Sequence, residues 1–453
     1  MTDSAPSWSQ LLSADRLNSA LDQNADDRSP YQIDIDRLVF SGWFRRLQRK
    51  TQVHPLAEND HVRTRLTHTL EVASVGRSLG ERAALHLSTS GIIDRGRVHD
   101  IATIVQAAAM AHDIGNPPFG HAGEYAINEW FERANDDHFP DLEEDQRQDL
   151  QRFEGNAQGF RVLTQIENNP PSAGVWKGGM RLTAATLGAF TKYPWTSSEI
   201  ARKSPTKQKF GIYLSELEPF AAVAAATEVA PMGDRAWARH PLVSLVEAAD
   251  DICYGLIDLE DGVELGLVSL DQVKRDVLGP LFEAAGVPKG LERRTGTPDR
   301  QHMSYLRTRA IGILVDAVAE QFVVNEHALR AGEIGSDGLI AACDPSIGTC
   351  VSAAKTMARS RVFSDKRKMR LEIGAYTTLE ILLDAFSAAI RRLHHCEDPV
   401  KLPFKERRVL EIMGANAPTV DDGVYLGYRK ALDYISGMTD HYASFMARQL
   451  SGG

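Results

Sequence analysis

The amino-acid sequence predicts an all-α fold. Apolar residues recur at helical spacing in most long segments, whereas the strict alternation typical of half-buried strands is scarce. The sequence shows neither an internal repeat nor a low-complexity tract. With 453 residues, 43% of them hydrophobic and 25% charged, the chain resembles an ordinary globular protein that buries a sizeable core. We therefore expect one helical body to contain most of the chain.

The charge and the cysteine content argue against several classes of protein. A formal net charge of −10 argues against a uniformly basic surface, although a local basic groove remains compatible with it. The four cysteines form no Cys-x-x-Cys pair, so we expect neither a disulfide scaffold nor a cysteine zinc site. The N-terminus lacks a signal-peptide pattern, and we find no run of eighteen apolar residues. A cytoplasmic protein without a membrane span is expected.

Composition and periodicity divide the sequence into four regions. Residues 1–32 are polar and acidic, and we expect them to form a loosely held arm. Residues 33–64 contain a basic amphipathic helix, within "DIDRLVFSGWFRRLQRKTQV", followed by a loop. Residues 65–260 are predicted to form the central helical domain, and residues 261–453 a C-terminal helical region. The basic residues interleaved in the amphipathic helix are Arg45, Arg46, Arg49 and Lys50.

The central and C-terminal regions contain several strongly periodic segments. One helix is predicted from about Thr67 to Leu87, and "DIATIVQAAAMAHD" predicts another that ends at a Gly-Asn-Pro-Pro break. The acidic stretch "NDDHFPDLEEDQRQD" indicates a solvated surface insertion. Residues 186–212 lack periodicity and are predicted to form a long loop. Helices resume at Leu242, and the last of them is "GYRKALDYISGMTDHYASFMARQL".

Two histidines continue the apolar stripes of neighbouring helices. His68 begins the stripe that contains Val72 and Leu79, and His112 ends the stripe of the next helix. For either histidine alone, a satisfied core residue is the simpler interpretation. For both together, with Asp113 adjacent to one, a metal site is favoured, because a buried carboxylate is costly unless it is paired or binds a metal.

A third helix supplies another candidate carboxylate. Asp250, Tyr254 and Asp258 lie four residues apart and therefore share one helical face. A solvated acidic face explains this pattern equally well. If the face is instead buried, Asp250 completes a set of two histidines and two carboxylates. Such a set suits Mn, Fe, Co or Ni, tolerates Mg, and leaves coordination positions for water and a phosphate oxygen.

The "H…HD…D" pattern on helices resembles that of the HD-domain phosphohydrolases. Six longer strings are more specific, because in the same order they resemble the bacterial deoxyguanosine triphosphate triphosphohydrolases and their mammalian relative. These strings, which lie between about residues 33 and 445, are "FRRLQRKTQV", "RTRLTHTLEV", "AHDIGNPPFGHAGE", "FEGNAQGFRVL", "EAADDICYGLIDLED" and "DYISGMTDHYA". The resemblance implies an HD-domain helical bundle with additional C-terminal helices, and it identifies residues 65–260 as the HD phosphohydrolase domain.

The resemblance implies a role for each candidate site residue. The positions that match metal ligands are His68, His112, Asp113 and Asp250. The positions that match the catalytic pair are His121 and Glu124. The positions that match contacts to the triphosphate and the nucleotide are Arg65 and Tyr254. The positions near the 3′-hydroxyl of the sugar are Gln52 and Asp258. The positions of further phosphate and sugar contacts are Lys192, Tyr193 and Lys209.

The implied reaction cuts a dNTP between the 5′-oxygen and the α-phosphorus, releasing a deoxynucleoside and tripolyphosphate. The resemblance implies dGTP as the preferred substrate and a divalent metal, Mg, Mn or Co, as the cofactor. The sugar alkoxide is a poor leaving group, so His121 is the natural proton donor, with Glu124 to orient its ring. The glycines and prolines between His112 and His121 then join the metal half of the site to the proton-transfer half. A helix cap with an incidental surface histidine is the alternative.

Two other functions stay open at this point. One is a different HD phosphohydrolase, which acts on a monophosphate, a cyclic nucleotide or a guanosine-tetraphosphate-type nucleotide. The other is a nucleic-acid-binding or regulatory protein that keeps a metal site. The resemblance also implies single-stranded DNA as a partner, for which the basic segment from Arg45 to Lys50 is the candidate, and a homo-oligomer, commonly a hexamer. Salt bridges between subunits explain these arginines equally well.

Overall fold

The fold was analysed in a computed structural model of the chain. The structure describes residues 5–17, 27–52, 63–134, 136–139, 141–167, 179–203, 209–287, 296–333, 338–364, 366–396 and 399–452. Within these ranges the regular structure is helical, apart from one antiparallel pair of short strands, β1 (Pro231–Gly233) and β2 (Ala236–Trp237). The prediction of an all-α fold is confirmed.

The α-helices are numbered in chain order. Those that precede the strands are α1 (Trp8–Leu11), α2 (Pro30–Phe40), α3 (Gly42–Arg46), α4 (Arg65–Thr89), α5 (Val98–Ala111), α6 (His121–Arg133), α7 (Glu144–Gln151), α8 (Gly155–Arg161), α9 (Ala184–Phe190), α10 (Ser197–Lys203) and α11 (Leu217–Thr227). Those that follow the strands are α12 (Val243–Glu264), α13 (Leu270–Val273), α14 (Gly279–Ala284), α15 (Asp299–Val324), α16 (Glu326–Arg330), α17 (Gly338–Ala342), α18 (Pro345–Met357), α19 (Lys366–His394), α20 (Phe404–Ile412), α21 (Gly423–Ser436) and α22 (Asp440–Ser451).

Shorter helical turns connect or extend these helices. The 3₁₀ turns are Leu47–Arg49, Arg95–Arg97, Asp136–His138, Leu214–Glu216, Pro399–Lys401, Gly414–Asn416 and Val420–Asp422. The π-helical turns are Val162–Ile166, Lys274–Leu278 and Ala358–Val362. The first and last π-helical turns continue α8 and α18 directly.

Two hydrophobic cores organise the described residues. The larger core is built around α4, α5, α12 and α15, which pack against one another, and it extends along the sequence from Trp8 to Val362. The smaller core joins α6 and α7 to the C-terminal helices α19 to α22. Ile127 and Phe131 of α6 lie in this second core together with Phe386 of α19. Helix α6 therefore links the turn that follows α5 to the C-terminal part of the chain. The predicted domain boundaries stay a prediction.

Small residues allow α4 and α5 to approach closely. A Cβ atom added to Gly80 of α4 would lie 3.0 Å from the Cα of Ala102 in α5, and one added to Gly76 would lie 3.3 Å from the Cβ of Ala109. Larger side chains at these glycines would separate the helix axes. The N-terminus of α4 is fixed by Thr64, whose hydroxyl accepts a hydrogen bond from the backbone N–H of Thr67 in a capping box.

Several local expectations differ from the structure. The long loop predicted over residues 186–212 contains the end of α9 and all of α10, while residues 204–208 lie outside the described residues. The acidic stretch after α6 is not wholly solvated, because Phe139 and Asp149 within it are buried. The predicted last helix is two helices, separated at Gly437. Periodicity alone missed this break because both helices bury apolar residues in the same core.

The N-terminal expectations were wrong in part. Trp8 and Leu11, within the arm predicted to be loosely held, are buried in the larger core, and the Trp8 indole donates a hydrogen bond of 2.6 Å to Glu326. The basic amphipathic helix is interrupted at Ser41, which caps α3 by accepting a hydrogen bond from the Phe44 backbone. The loop predicted after it falls mostly on residues 53–62, outside the described residues.

One helical segment within the described residues, Lys368–His394 of α19, is long and apolar enough by length and composition to cross a membrane. This is weak evidence for a membrane span, because a core helix with one buried face meets the same criteria. Leu379, Leu383 and Phe386 of this helix are buried in the second core. These contacts account for its apolar residues.

Candidate active site

Two helix ends and the interior of a third helix bring two imidazoles and a carboxylate together. His68 lies in the first turn of α4, His112 directly follows α5, and Asp250 lies in α12. His68 Nε2 is 3.3 Å from Asp250 Oδ1, and His112 Nε2 is 3.7 Å from the same oxygen. One potential ligand atom from each residue lies within 4.8 Å of the others. Both histidines are buried, as their places on the apolar stripes predicted.

Asp113 borders this cluster from the turn after α5. Its Oδ2 atom lies 3.6 Å from His112 Nε2 and is a buried oxygen without a hydrogen-bond partner among the described residues. Its Oδ1 atom accepts hydrogen bonds from Arg65 at 2.6 Å and from the Asn116 amide at 2.8 Å. One carboxylate oxygen is therefore held by the protein, and the other is available to a cation.

The donor set fits a divalent metal ion. His112 Nδ1 lies 2.7 Å from the carbonyl oxygen of Ala109, which fixes a proton on Nδ1 and leaves the Nε2 lone pair facing Asp250. Burial lowers the pKa of His112 and thereby favours the neutral ring that a metal requires. Burial alone would raise the pKa of Asp250, but Lys192 and His112 outweigh it and hold the pKa well below its ordinary value. His112, Asp113 and Asp250 thus present ligand atoms in their metal-binding forms. Burial alone would lower the pKa of His68, but the hydrogen bond with Asp250 outweighs it and raises that pKa, so a metal would have to displace a proton from this ring.

The turn between α5 and α6 has a tightly constrained backbone. Gly115 has a φ of 106°, and a Cβ added there would lie 2.2 Å from the backbone nitrogen of Gly159 in α8. Only glycine fits both constraints. Phe119 also adopts a positive φ, of 65°, although it carries a side chain. The backbone of the turn packs directly against the backbone of α8. The turn ends at His121, the first residue of α6.

His121 and Glu124 form a hydrogen-bonded pair at the start of α6. His121 Nδ1 and Glu124 Oε2 form a hydrogen bond of 2.7 Å. Glu124 Oε1 accepts a second hydrogen bond, of 2.9 Å, from the Gly155 backbone N–H. The His121 side chain is 71% exposed, whereas that of Glu124 is 13% exposed. Burial alone would raise the pKa of Glu124, but the hydrogen bond with His121 outweighs it and lowers that pKa. An ionised Glu124 thus holds His121 in one orientation.

A single cavity of about 350 Å³ contains most of the candidate residues. The candidates that line it are Gln52, Arg65, His68, His112, Asp113, His121, Lys192, Lys209, Asp250 and Tyr254. Glu124, Tyr193 and Asp258 do not line it. Glu124 contacts the cavity through His121, the Tyr193 ring packs against Trp195 with centroids 5.6 Å apart, and Asp258 is 1% exposed.

Asp258 differs from Glu124 and Tyr193 because one of its buried oxygens has no partner among the described residues, which makes its burial costly. Burial raises its pKa to about 8, and its Oδ2 atom has no hydrogen-bond partner among the described residues. The amide oxygen of Gln52 is likewise buried and unpartnered there. These are the two residues that the resemblance associated with the sugar hydroxyl. An unpartnered buried acceptor is rare and requires an explanation, such as a donor supplied by a ligand or by water.

The sequence analysis missed one wall of the cavity. This wall comes from the end of α18 and the start of α19, and its residues are Arg359, Phe363, Lys368 and Glu372. The Phe363 ring stacks on Tyr254 with centroids 5.4 Å apart and 11° between the ring planes. The basic string "ARSRVFSDKRKMR" was the available signal. Its π-helical turn directs Arg359 and Phe363 to the cavity, and periodicity cannot predict such a turn.

Glu154 is a buried carboxyl beside the His121–Glu124 pair. It accepts hydrogen bonds from the backbone and the side-chain amide of Asn156, and Lys209 Nζ lies 4.0 Å from its Oε1 atom. Burial and then the neighbouring Glu124 raise the pKa of Glu154 to about 7. The two neighbouring carboxyl groups thus differ in pKa, and Glu124 ionises at a lower pH than Glu154.

Comparisons with known proteins show what the chain is similar to. A family model described as the HD domain matches residues 65–167. The chain is 46% identical over 449 residues to a deoxyguanosinetriphosphate triphosphohydrolase-like protein of Pseudomonas aeruginosa, with 98% of each chain covered. It is 36% identical over 462 residues to a protein of the same description from Synechocystis, which covers 98% of this chain and 99% of the relative. It is 30% identical over 480 residues to a deoxyguanosinetriphosphate triphosphohydrolase of an Enterobacter species, which covers 91% and 92%.

Removal of a ligand side chain should abolish metal binding. We expect His112→Ala or Asp113→Ala to be isolated without stoichiometric metal after equilibration with Mn and desalting, because each loses a buried ligand atom. Elemental analysis measures this directly. His121→Ala is the matched control, since it also removes a side chain that lines the cavity but one outside the ligand cluster. Wild-type metal content in His112→Ala would contradict the assignment.

The raised pKa of Glu154 predicts a pH-dependent stability difference. The unfolded chain has the ordinary glutamate pKa of about 4.3, so between about pH 4.5 and 7 the native state binds more protons than the unfolded state. Stability therefore falls as pH rises through this window. Glu154→Gln removes the titration, so its melting temperature relative to wild type should increase between about pH 5 and 8.

Thermal unfolding at several pH values within that range measures the Glu154 effect. The exposed Glu132→Gln serves as the control for the loss of one charge from the same region. A difference between Glu154→Gln and wild type that stays constant with pH would show that Glu154 does not titrate in this window.

Proposed function

Because the chain belongs to the deoxyguanosinetriphosphate triphosphohydrolase family, we propose that it hydrolyses dNTPs, dGTP best, to a deoxynucleoside and tripolyphosphate. The proposal is carried by one observation. Two buried histidines, the buried Asp113 and the half-buried Asp250 share a cavity with a hydrogen-bonded His121–Glu124 pair. This combination suits metal-assisted hydrolysis of a phosphate ester, with a separate group to protonate the leaving oxygen.

The proposed metal ligands are His68, His112, Asp113 and Asp250, and the proposed ion is Mg, Mn or Co. When bound, such an ion lowers the pKa of water and polarises a phosphoryl oxygen. The protein contributes oriented ligands. The Ala109 carbonyl fixes the His112 ring, and Arg65 fixes one oxygen of Asp113.

Cationic side chains of the cavity suit a triphosphate. The candidates from the sequence are Arg65, Lys192 and Lys209, and the structure adds Arg359 and Lys368. Arginine and lysine hydrogen bonds to phosphate oxygens are charge-assisted, and they strengthen as negative charge develops in the transition state. A cavity of about 350 Å³ falls at the lower end of the size range of small-molecule sites. We propose that these cations hold the triphosphate against the metal cluster.

His121 is the proposed general acid. Water adds to the α-phosphorus and releases one proton to solvent, the bond from phosphorus to the 5′-oxygen breaks, and its electron pair remains on that oxygen. This oxygen takes a proton from His121, which regains one from solvent. Because Nδ1 is bonded to Glu124, Nε2 is the nitrogen that faces the leaving group. The exposed position of His121 at the cavity leaves this nitrogen accessible to a ligand.

Gln52 and Asp258 are the proposed readers of the sugar. Each has a buried oxygen without a partner among the described residues. A 3′-hydroxyl can donate one hydrogen bond and can also accept one. Tyr254, stacked on Phe363, would form a flat wall for the sugar. A closely fitted wall leaves no space for a 2′-hydroxyl, which is the basis for excluding ribonucleotides.

Single-stranded DNA binding and a homo-hexamer stay predictions. In the basic segment proposed for DNA, Arg45 and Arg49 are exposed, but Lys50 is 2% exposed. Lys50 therefore contacts protein groups and is unavailable to a surface ligand. A cytoplasmic location likewise stays a prediction.

Product analysis tests the proposed reaction. Metal-free protein would be incubated with each dNTP and with GTP, in the presence of Mg, Mn or Co. We expect tripolyphosphate and deoxynucleoside as the only products, the highest kcat/KM with dGTP, and a much lower value with GTP because of its 2′-hydroxyl. Asp113→Ala is the inactive control. Pyrophosphate or orthophosphate as the first product would instead support a different HD phosphohydrolase.

A double-mutant cycle tests the role of His121. His121→Ala should keep its metal and its dNTP affinity, but its turnover should fall by about 10²–10⁴-fold, the usual contribution of general acid catalysis. Glu124→Ala should lose less, since it acts by orienting His121. The double variant should resemble His121→Ala alone, because the two groups act as a unit. The proton-transfer role is wrong if the metal is lost in His121→Ala or if the two single losses multiply.

A further inference from the structure

The string "DYISGMTDHYA", residues 433–443, takes no part in the chemistry described above. It spans the break between α21 and α22, in the second hydrophobic core. Asp433 and Asp440 within it are both buried. Buried carboxylates are costly unless they are hydrogen-bonded, so the contacts of these two residues indicate what the string does.

Asp440 binds two backbone segments that line the cavity. Its Oδ1 atom accepts a hydrogen bond of 2.9 Å from the Phe119 backbone N–H, in the turn that precedes His121. Its Oδ2 atom accepts one of 3.0 Å from the Thr51 backbone N–H and a second from the Thr51 hydroxyl. Thr51 and Phe119 both line the cavity. One carboxylate therefore joins opposite parts of the site, at Gln52 and at His121.

The backbone at Phe119 needs such a restraint. Phe119 has a φ of 65°, in the left-handed region that residues with side chains rarely adopt. Strained conformations persist only where surrounding contacts over-determine them. The Asp440 carboxylate supplies one of these contacts, and its place in the first turn of α22 favours its negative charge.

Lys50 provides a second connection between the same segments. Its Nζ atom donates one hydrogen bond of 2.6 Å to the Asn116 carbonyl oxygen and another to the Ser436 carbonyl oxygen. Its own carbonyl oxygen accepts from the Arg65 backbone N–H at 3.1 Å. The break between α21 and α22 is thus tied to the turn after α5 and to the start of α4.

Asp433 at the other end of the string holds α8. It accepts hydrogen bonds of 2.8 Å from Gln158 and from Arg161. Helix α8 begins at Gly155, whose backbone N–H binds Glu124. The string is therefore connected to Glu124 through the side chains and the first residue of α8, and to His121 through the backbone of Phe119.

We propose that Asp440 is a positioning residue, which fixes the Phe119 and Thr51 backbones and thereby holds His121 and Gln52 in their places at the cavity. The kinetic consequence rests on the proposed function. The positioning itself does not, because it concerns the conformation of the turn. Misplacement of a catalytic group by about 1 Å costs on the order of 10²-fold in rate, which sets the expected size of the effect.

Asp34 offers a closely matched control for a purely structural role. Like Asp440 it is fully buried, and its Oδ2 atom accepts from the backbone N–H and the hydroxyl of one threonine, Thr183. Neither Asp34 nor Thr183 lines the cavity. If buried carboxylates matter only for stability, Asp34→Ala and Asp440→Ala should behave alike.

The experiment compares wild type with Asp440→Ala, Asp440→Asn and Asp34→Ala. It measures thermal unfolding and, below the unfolding transition, kcat and KM for dGTP and hydrogen–deuterium exchange of peptides from the turn between α5 and α6, here called the catalytic turn. We expect Asp440→Ala to lower kcat by roughly 10²-fold with a much smaller change in KM. Amide exchange around Phe119 should become faster, because the N–H loses its acceptor. Asp34→Ala should keep the wild-type kcat and turn exchange, although its melting temperature falls.

Asp440→Asn should rescue part of the loss. Its amide oxygen still accepts from the Phe119 N–H, while its nitrogen cannot accept from the Thr51 N–H. Its kcat should therefore lie between those of wild type and Asp440→Ala. If Asp440→Ala does not fold, Asp440→Asn decides the question: a reduced kcat relative to Asp34→Ala supports the proposal, and a wild-type kcat overturns it.

Three results would overturn the positioning role. They are a wild-type kcat in folded Asp440→Ala, an equal loss of kcat in Asp34→Ala, and unchanged exchange of the catalytic turn in Asp440→Ala. A wild-type protein that hydrolyses no dNTP would refute the proposed function instead. In that case the exchange comparison alone decides whether Asp440 holds the turn.

Discussion

The close approach of α4 to α5 at Gly80 determines where both histidines lie. A side chain at this position would meet the backbone of Ala102, so the helix separation depends on the absence of a single Cβ atom. The approach places the imidazole rings of His68 and His112 with centroids 5.5 Å apart, at the ends of two apolar stripes. Asp250 and Asp113 then enter the same buried volume. Ionised carboxylates in such surroundings require partners, so the cluster is stable only with cations beside it.

The protein supplies some of these cations itself. Arg65 binds Asp113, Lys192 binds Asp250 at 3.1 Å, and Lys368 binds Glu372 at the opposite wall. Each of these cations is thus held in position by a carboxylate of the protein, without any phosphate. A triphosphate adds about four negative charges, and a divalent ion would offset part of that charge. The proposed metal ligands and the proposed phosphate-binding side chains are consequently parts of one electrostatic arrangement, in which each set of charges affects the other.

The catalytic turn connects this arrangement to the second core. It leaves α5 at the metal cluster, crosses α8 at Gly115, and ends in α6, whose inner face packs against α19. The positive φ at Phe119 is a strain of about 1–3 kcal/mol, which neighbouring contacts must offset. These contacts come from α8 and from the α21–α22 junction, so the second core supports the orientation of His121. Helices α21 and α22, which lie far from this turn in the sequence, thereby support the site although they do not line the cavity.

The sequence by itself determined the all-α fold, the inward placement of His68 and His112, and the His121–Glu124 pair. These features depend on local periodicity, since residues three or four apart on a helix share a face whatever the tertiary structure is. The metal-site interpretation also needed Asp250 to face the same volume, and no local pattern could distinguish that face from a solvated one. Only the tertiary structure decided this question, and it also revealed Arg359, Phe363 and Asp440. Asp440 contacts Phe119 across 321 residues of sequence, and such a contact depends on how two separate cores pack, which side-chain spacing within one helix does not encode.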